Sequence, residues 1–174
     1  MKSYIVYEVL RGKKYTLFNL LKVLLFSPPF RFVYYFRLME WFRDRNFKIF
    51  AGILYRKLIF DFGCYIGNNV SVGLGVKFPH PNGIVIGEYA VIGKNCTIFQ
   101  QVTFGGKVLG DAKDANYPKI GDNVVIFAGA KLIGNISIGD NVIIGANSVV
   151  NKNFPSNTVI GGIPAKVLKV IENK

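Results

Sequence analysis

One histidine occurs in the 174 residues, His80, and it opens the stretch His80-Pro81-Asn82-Gly83. An imidazole, with an ordinary pKa of about 6.5, is the side chain best suited to take a proton from a hydroxyl at neutral pH. A second group of polar and flexible residues lies between Gly105 and Lys119: the Gly105-Gly106 pair, Lys107, Asp111, Asn116 and Tyr117. Glycine amides, with no Cβ in the way, can donate to an oxygen that gains negative charge. Cys64 and Cys96 fit neither a disulfide framework nor a metal-binding spacing, and read as small buried apolar residues. A lone histidine also excludes a multi-histidine zinc centre, so no metal is expected.

These residues are set in a chain with a period of six. An aliphatic or aromatic residue recurs at Ile66, Val72 and Phe78, then at Ile86, Ile92, Ile98 and Phe104, and again at Ile120, Ile126, Leu132, Ile138, Ile144 and Val150. Glycine often follows directly, as at Gly67, Gly73, Gly87, Gly93, Gly121, Gly139 and Gly145, and a small or β-branched residue sits four positions on. Short strands ending in tight turns, three to a coil, satisfy this rhythm and bury the recurring aliphatics in one continuous core. The expected fold is therefore mainly β, a parallel β-helix. The register breaks twice. Two extra residues fall between Phe78 and Ile86, and sixteen residues separate Phe104 from Ile120 where two repeats need twelve. Breaks in a solenoid mark loops, where function concentrates. His80 lies in the first break, and the loop insertion at 105–119 is the second.

The first third is different. Residues 1–60 carry 12 Lys/Arg against Glu8, Glu40 and Asp44, a net of +9, whereas residues 61–174 carry 10 against 7, a net of +3. Helical spacing at Leu38, Trp41 and Phe42, a start at Ser27-Pro28-Pro29, and apolar runs over 17–26 and 47–60 predict a small helical segment over 1–60, ahead of a β-helix domain over 61–174. Cations interleaved with aromatics suit peripheral contact with an anionic membrane surface. No base-reading motif accompanies the charge, so a nucleic-acid partner is not expected. The run Leu17–Phe26 is short of the roughly 20 apolar residues a bilayer requires, and no cleavage site follows it. A cytoplasmic location is expected, with contact at the inner face of the membrane.

The stretch from His80-Pro-Asn-Gly-Ile-Val-Ile-Gly through Gln100-Gln-Val-Thr-Phe-Gly-Gly106, then Pro118-Lys-Ile-Gly-Asp and Gly161-Gly-Ile-Pro-Ala-Lys166, resembles the hexapeptide-repeat acyltransferases. The likeness covers roughly residues 24–170 and is closest to the serine acetyltransferase branch and related polysaccharide O-acetyltransferases. The resemblance implies a left-handed β-helix, a homotrimer with active sites between subunits, and acetyl-CoA as co-substrate. It places His80 as catalytic base and Gly105 and Gly106 beside the acetyl group. It puts Ala128 and Ala146 under the pantetheine arm, and Asn151, Lys152, Lys166 and Lys169 near the nucleotide end.

The departures from that family guide the acceptor. An aspartate of the serine acetyltransferases is Tyr65 here, another just before the histidine is Pro79, and their Arg-His pair is Asn116-Tyr117. A zwitterion loses its charged partners, so the expected acceptor is a neutral sugar hydroxyl, of a small molecule or a lipid-linked precursor of a surface polysaccharide. Tyr65, Asn82, Asn116 and Tyr117 are the residues expected to hold it. Serine O-acetylation and N-acetylation of an amino sugar are the alternatives, and a non-catalytic scaffold is a further one. The partner that orients His80 stays open among Glu88, Asp61 and a backbone carbonyl.

Overall fold

The computed structural model describes residues 5–10, 16–108, 110–111 and 115–172. All thirteen aliphatics of the six-residue register are buried, and so are the ten small residues four positions on, from Val70 to Ser148. Every register position but Phe78, which follows an isolated bridge at Lys77, falls in a strand of only a few residues, and the strands stack into three sheets. The first sheet contains β1 (Tyr65–Ile66), β3 (Val85–Ile86), β6 (Thr103–Gly105), β9 (Lys131–Ile133) and β12 (Val149–Val150), in that order. The second contains β2 (Ser71–Val72), β4 (Val91–Ile92), β7 (Lys119–Ile120) and β10 (Ser137–Ile138). The third runs β5 (Thr97–Ile98), β8 (Val125–Ile126), β11 (Ile143–Ile144) and β13 (Thr158–Gly162), closed by an antiparallel β14 (Ala165–Val170).

One turn of chain visits the three sheets in order, so the molecule has three corners. Corner one follows the first sheet, corner two the second, and corner three leads from the third sheet back to the first. In corner two, Asn95, Asn123, Asn141 and Asn157 all take positive φ, between 56° and 59°, which asparagine tolerates better than most residues. Glycine after the buried aliphatic is required where coils press together: a Cβ on Gly73 would stand 2.6 Å from the carbonyl carbon of Gly93 in the next coil.

The helical segment comprises a short π-helical turn at Ile5–Val9, which no sequence signal indicated, then α1 (Leu17–Phe26), α2 (Pro28–Asp44) and α3 (Lys48–Phe62). Thr16 caps α1, its Oγ1 accepting from Asn19 N at 3.1 Å. Ser27 stands at the N-cap of α2 with Pro28 and Pro29 behind it, but its side chain makes no capping bond. The stop for α3 is Gly63, at φ 62°, with Gly63 N donating to Ile59 O and Cys64 N to Leu58 O. Two residues later β1 begins, so the helix delivers the chain directly into the first coil.

A solenoid exposes its core at its ends unless something covers it. Here Phe32 of α2 packs edge-on against Phe62 and against Phe78 of the first coil, with centroids 5.2 and 4.8 Å apart. Arg37 pins the cap in place. Its guanidinium pairs two-pronged with Glu8, at 2.8 and 2.9 Å, and bonds Glu40 at 2.8 Å. It also donates to the carbonyls of Val72 and Gly73, while Glu8 Oε1 accepts from Gly75 N at 2.7 Å. Arg37→Ala leaves the Glu8 carboxylate buried without its cation. The expected cost is about 3–5 kcal/mol, read as a lowered urea midpoint at pH 7.

Candidate functional site

His80 is exposed, in the corner-three turn that joins Phe78 to Ile84. The extra residues of this turn are tied down at both sides: Asn82 N donates to His80 O at 2.8 Å, and Asn82 O accepts from Gln101 N of the next coil at 2.9 Å. The imidazole lies beside the ring of Phe99, with centroids 6.1 Å apart and planes tilted by 47°. Phe99 in turn stacks on Phe127 at 5.2 Å. The same corner continues upward through Ala128 and Ala146, and Ala128 O accepts from Asn147 N at 2.9 Å. Lys131 reaches it from the first sheet, its Nζ donating to Gln101 O at 2.6 Å.

The other expected residues gather elsewhere. Gly105 ends β6 at corner one, Gly106 follows, and the insertion leaves from there. Residues 109 and 112–114 of that insertion lie outside the described residues. Asp111 organises its base by accepting from the amides of Val108 and Lys107, and the Val108 N–H is the main reason its carboxyl sits below the ordinary range. Tyr117 is half-buried with its ring over Gly87, also at corner one, and Asn116 N donates to Asp111 O at 3.2 Å. Asn151 and Lys152 follow β12 at the same corner, with Lys152 Nζ 5.5 Å from the Phe154 ring centroid. Lys166 and Lys169 are exposed on β14, at the edge of the third sheet.

The expected residues therefore form two half-sites. His80, Asn82, Ala128 and Ala146 share corner three, while Gly105, Gly106, Asn116, Tyr117, Asn151 and Lys152 share corner one. The first sheet separates them, a side on the order of 15–20 Å at the rise of an extended chain. Tyr65 stands on that sheet's outer face in line with Val85, Thr103, Lys131 and Val149. Of the partners proposed for His80, Glu88 is committed elsewhere: it accepts from the amides of Asn68 and Asn69. Among the described residues no carboxylate pairs with the imidazole.

Phe99, Phe127 and Lys131 were not singled out from the sequence. A signal existed for the two rings. They follow Ile98 and Ile126, in the slot that glycine takes after the buried residue in most other repeats.

Comparison with known proteins agrees with the β-helix. Residues 117–152 match the family described as bacterial transferase hexapeptide (six repeats). A serine acetyltransferase of Synechococcus elongatus is 38% identical over 150 residues, 86% of this chain and 61% of the relative. The chain thus spans less than two thirds of that relative's length. The soybean serine acetyltransferase apoenzyme superimposes with a TM-score of 0.78 at 33% identity, covering 96% of this chain and 68% of that one. A serine acetyltransferase in complex with CoA gives 0.71 at 36% identity, covering 80% and 57%. The coil is the left-handed β-helix of these neighbours.

These findings correct the acceptor expected from the sequence. The relatives are named for serine, and the sugar of a surface polysaccharide finds no support among them. Formal charge at a few motif positions is a poor guide because uncharged groups can also hold an ammonium or a carboxylate. At corner three, Gln100 Oε1 is buried without a hydrogen-bond partner among the described residues. A cavity of about 790 Å³ runs from Pro79 past Lys77 to Asn95 and the helical segment, and His80 does not line it.

Neither thiol competes with His80 for chemistry. Burial raises the pKa of Cys64 and pushes that of Cys96 up to about 11. At pH 8 on the order of one Cys96 in a thousand is thiolate. A thiol-labelling reagent at that pH is expected to leave both cysteines unmodified in the folded protein and to modify both in 6 M guanidinium.

Proposed function

The chain belongs to the hexapeptide-repeat acyltransferases, on the serine acetyltransferase branch, and from that membership we propose that it moves the acetyl group of acetyl-CoA onto the hydroxyl of serine. The observation that carries this reading is the single histidine, exposed at a turn tied down on both sides, with the small Ala128 and Ala146 following in the coils of the same corner. In this scheme His80 takes the hydroxyl proton as the serine oxygen attacks the thioester carbonyl. The amides of Gly105 and Gly106 donate to the carbonyl oxygen as it becomes negative. The C–S bond then breaks, and the proton held by the imidazole goes to the departing thiolate. Ala128 and Ala146 leave backbone accessible to the pantetheine arm. Asn151, Lys152, Lys166 and Lys169, in the upper coils, meet the phosphates, while Tyr65, Asn82, Asn116 and Tyr117 border the acceptor.

The two half-sites support a homotrimer as the working assembly. Corner three of one copy and corner one of the next can meet across a shared cleft, which no single chain achieves. A cytoplasmic setting fits the use of acetyl-CoA. The test is a thiol-release assay with L-serine. His80→Ala is expected to lower kcat by about 10²–10⁴. A wild-type rate with serine no higher than hydrolysis overturns the acceptor, and an unchanged rate in the variant overturns the base.

We also infer that the helical segment rests on an anionic lipid surface. Among the described residues no helix is long and apolar enough to cross a membrane. The outward face of α3 nevertheless presents Ile49, Ile53, Arg56 and Phe60 at helical spacing, with Ile49 and Phe60 78% and 74% exposed. On α1 the exposed side chains are Leu17, Phe18, Leu21, Lys22, Leu25 and Phe26. Arg56 lies 5.4 Å from the Phe60 ring centroid, an arrangement that lets rings enter a headgroup layer while cations meet phosphates. A second copy of the same face would set cation against cation. Cosedimentation with phosphatidylserine-containing vesicles is expected, lost in Ile49→Glu/Ile53→Glu and weak on purely zwitterionic vesicles. A double variant that binds vesicles as well as wild type, or that changes only the oligomeric mass, overturns the inference.

A further inference from the structure

His80 has its backbone anchored and its side chain exposed, and among the described residues no carboxylate holds its ring. A base that is free to rotate spends much of its time pointing away from the proton it must accept, so something has to restrict the ring. The side chain recorded beside the imidazole is aromatic. Phe99 lies 6.1 Å away, tilted by 47°, and is itself backed by Phe127, stacked at 5.2 Å and 21°.

The column is particular to this corner. In three coils, the slot after the buried residue of the third sheet holds Pro79, Phe99 and Phe127, and in the next it returns to glycine at Gly145. Large residues thus occupy the slot beside and above the histidine and stop where the small Ala146 begins. Both phenylalanines are anchored at the backbone: Phe99 N donates to Ile126 O and Phe127 N to Ile144 O, each at 3.0 Å. A half-buried ring on a fixed strand end, pressed from behind by a second ring, is stiffer than a ring alone.

We propose that Phe99, braced by Phe127, is the positioning residue for His80, holding the imidazole plane by ring contact where no carboxylate does so. The proposal rests on the reading of His80 as the base, and it names the group that orients it. Phe99 touches neither acetyl group nor acceptor in this scheme. It acts through the imidazole alone.

The lone histidine makes the contact measurable without any activity, because the chain yields a single pair of imidazole signals in a proton–carbon NMR spectrum. In wild type those signals carry a ring-current shift, which Phe99→Ala is expected to abolish while the melting temperature stays within a few degrees. An imidazole spectrum unchanged by Phe99→Ala overturns the contact itself. For catalysis, Phe99→Ala is expected to lower kcat with L-serine about 10-fold to 100-fold, with KM for acetyl-CoA within about twofold. Phe99→Tyr, which keeps the ring, is expected to restore kcat to within about threefold of wild type, and Phe99→Leu is not. In the His80→Ala background, Phe99→Ala should cost nothing further. An additional loss there, or full activity in Phe99→Leu, overturns the positioning role. If wild type fails to acetylate serine at all, the functional reading fails, whereas the NMR arm still decides whether the two rings hold the imidazole.

Discussion

A coil of three short strands holds its corners apart, and that separation governs everything this chain can do. Each residue after a buried aliphatic points out of a corner, and stacked coils line up equivalent residues into columns. A column can therefore collect like-positioned residues from successive coils, as corner three collects Pro79, Phe99, Phe127 and Gly145 in one column and His80, Gln100, Ala128 and Ala146 in the next. It cannot bring corner one to corner three, because the first sheet stands between them. Backbone pairing makes the barrier rigid: every strand of that sheet is hydrogen-bonded to the next, from β1 to β12. Chemistry that needs groups from two corners needs two copies of the chain.

The helical segment solves a different problem, the open end of the core. Phe32 and Phe36 of α2, fully buried, cover the first coil with the help of Leu58 and Phe62. Apolar packing alone does not fix how such a cap is rotated on a smooth core. Arg37 does, because its donors are matched to Glu8, Glu40 and two carbonyls of the coil, and any other orientation strands a buried charge. Helices spent on one face in this way leave the other faces free. On α1 and α3 those faces are apolar and cationic, which is the opposite of an ordinary solvated helix.

Most of the β-helix was legible in the sequence because a single requirement, one buried residue every six, acts at every coil. Ile66 and Val150 lie at opposite ends of the solenoid and obey the same rule. The corners were legible only in part. His80 drew notice by breaking the register, whereas Phe99 and Phe127 keep it and differ only in size from the glycines they replace. Glu88 looked available to orient the histidine, yet the αL backbone of Tyr89, at φ 61°, belongs to a turn whose neighbour below, Asn68-Asn69, takes both carboxylate oxygens. Ser27 carried the pattern of a capping residue and makes no capping bond, and the two prolines behind it remove two of the first-turn amides, one of them a usual target of such a bond. The acceptor was misjudged because formal charges can be counted along a chain, while the uncharged groups that can also hold an ammonium or a carboxylate cannot.

A carboxylate and an aromatic ring orient a histidine in different ways. The carboxylate accepts from one ring nitrogen and so selects the tautomer as well as the direction of the other nitrogen. A phenyl ring restricts the imidazole plane and selects neither nitrogen. Under the proposed mechanism the choice of tautomer at corner three therefore passes to whatever bonds the imidazole from outside the column, and the first such group is the hydroxyl of the acceptor itself. An incoming O–H needs a bare nitrogen facing it, and a ring held in plane but free in tautomer can present one from either edge. That freedom suits the proposed trimer, in which the direction of approach would be set by the neighbouring copy rather than by the chain that carries His80.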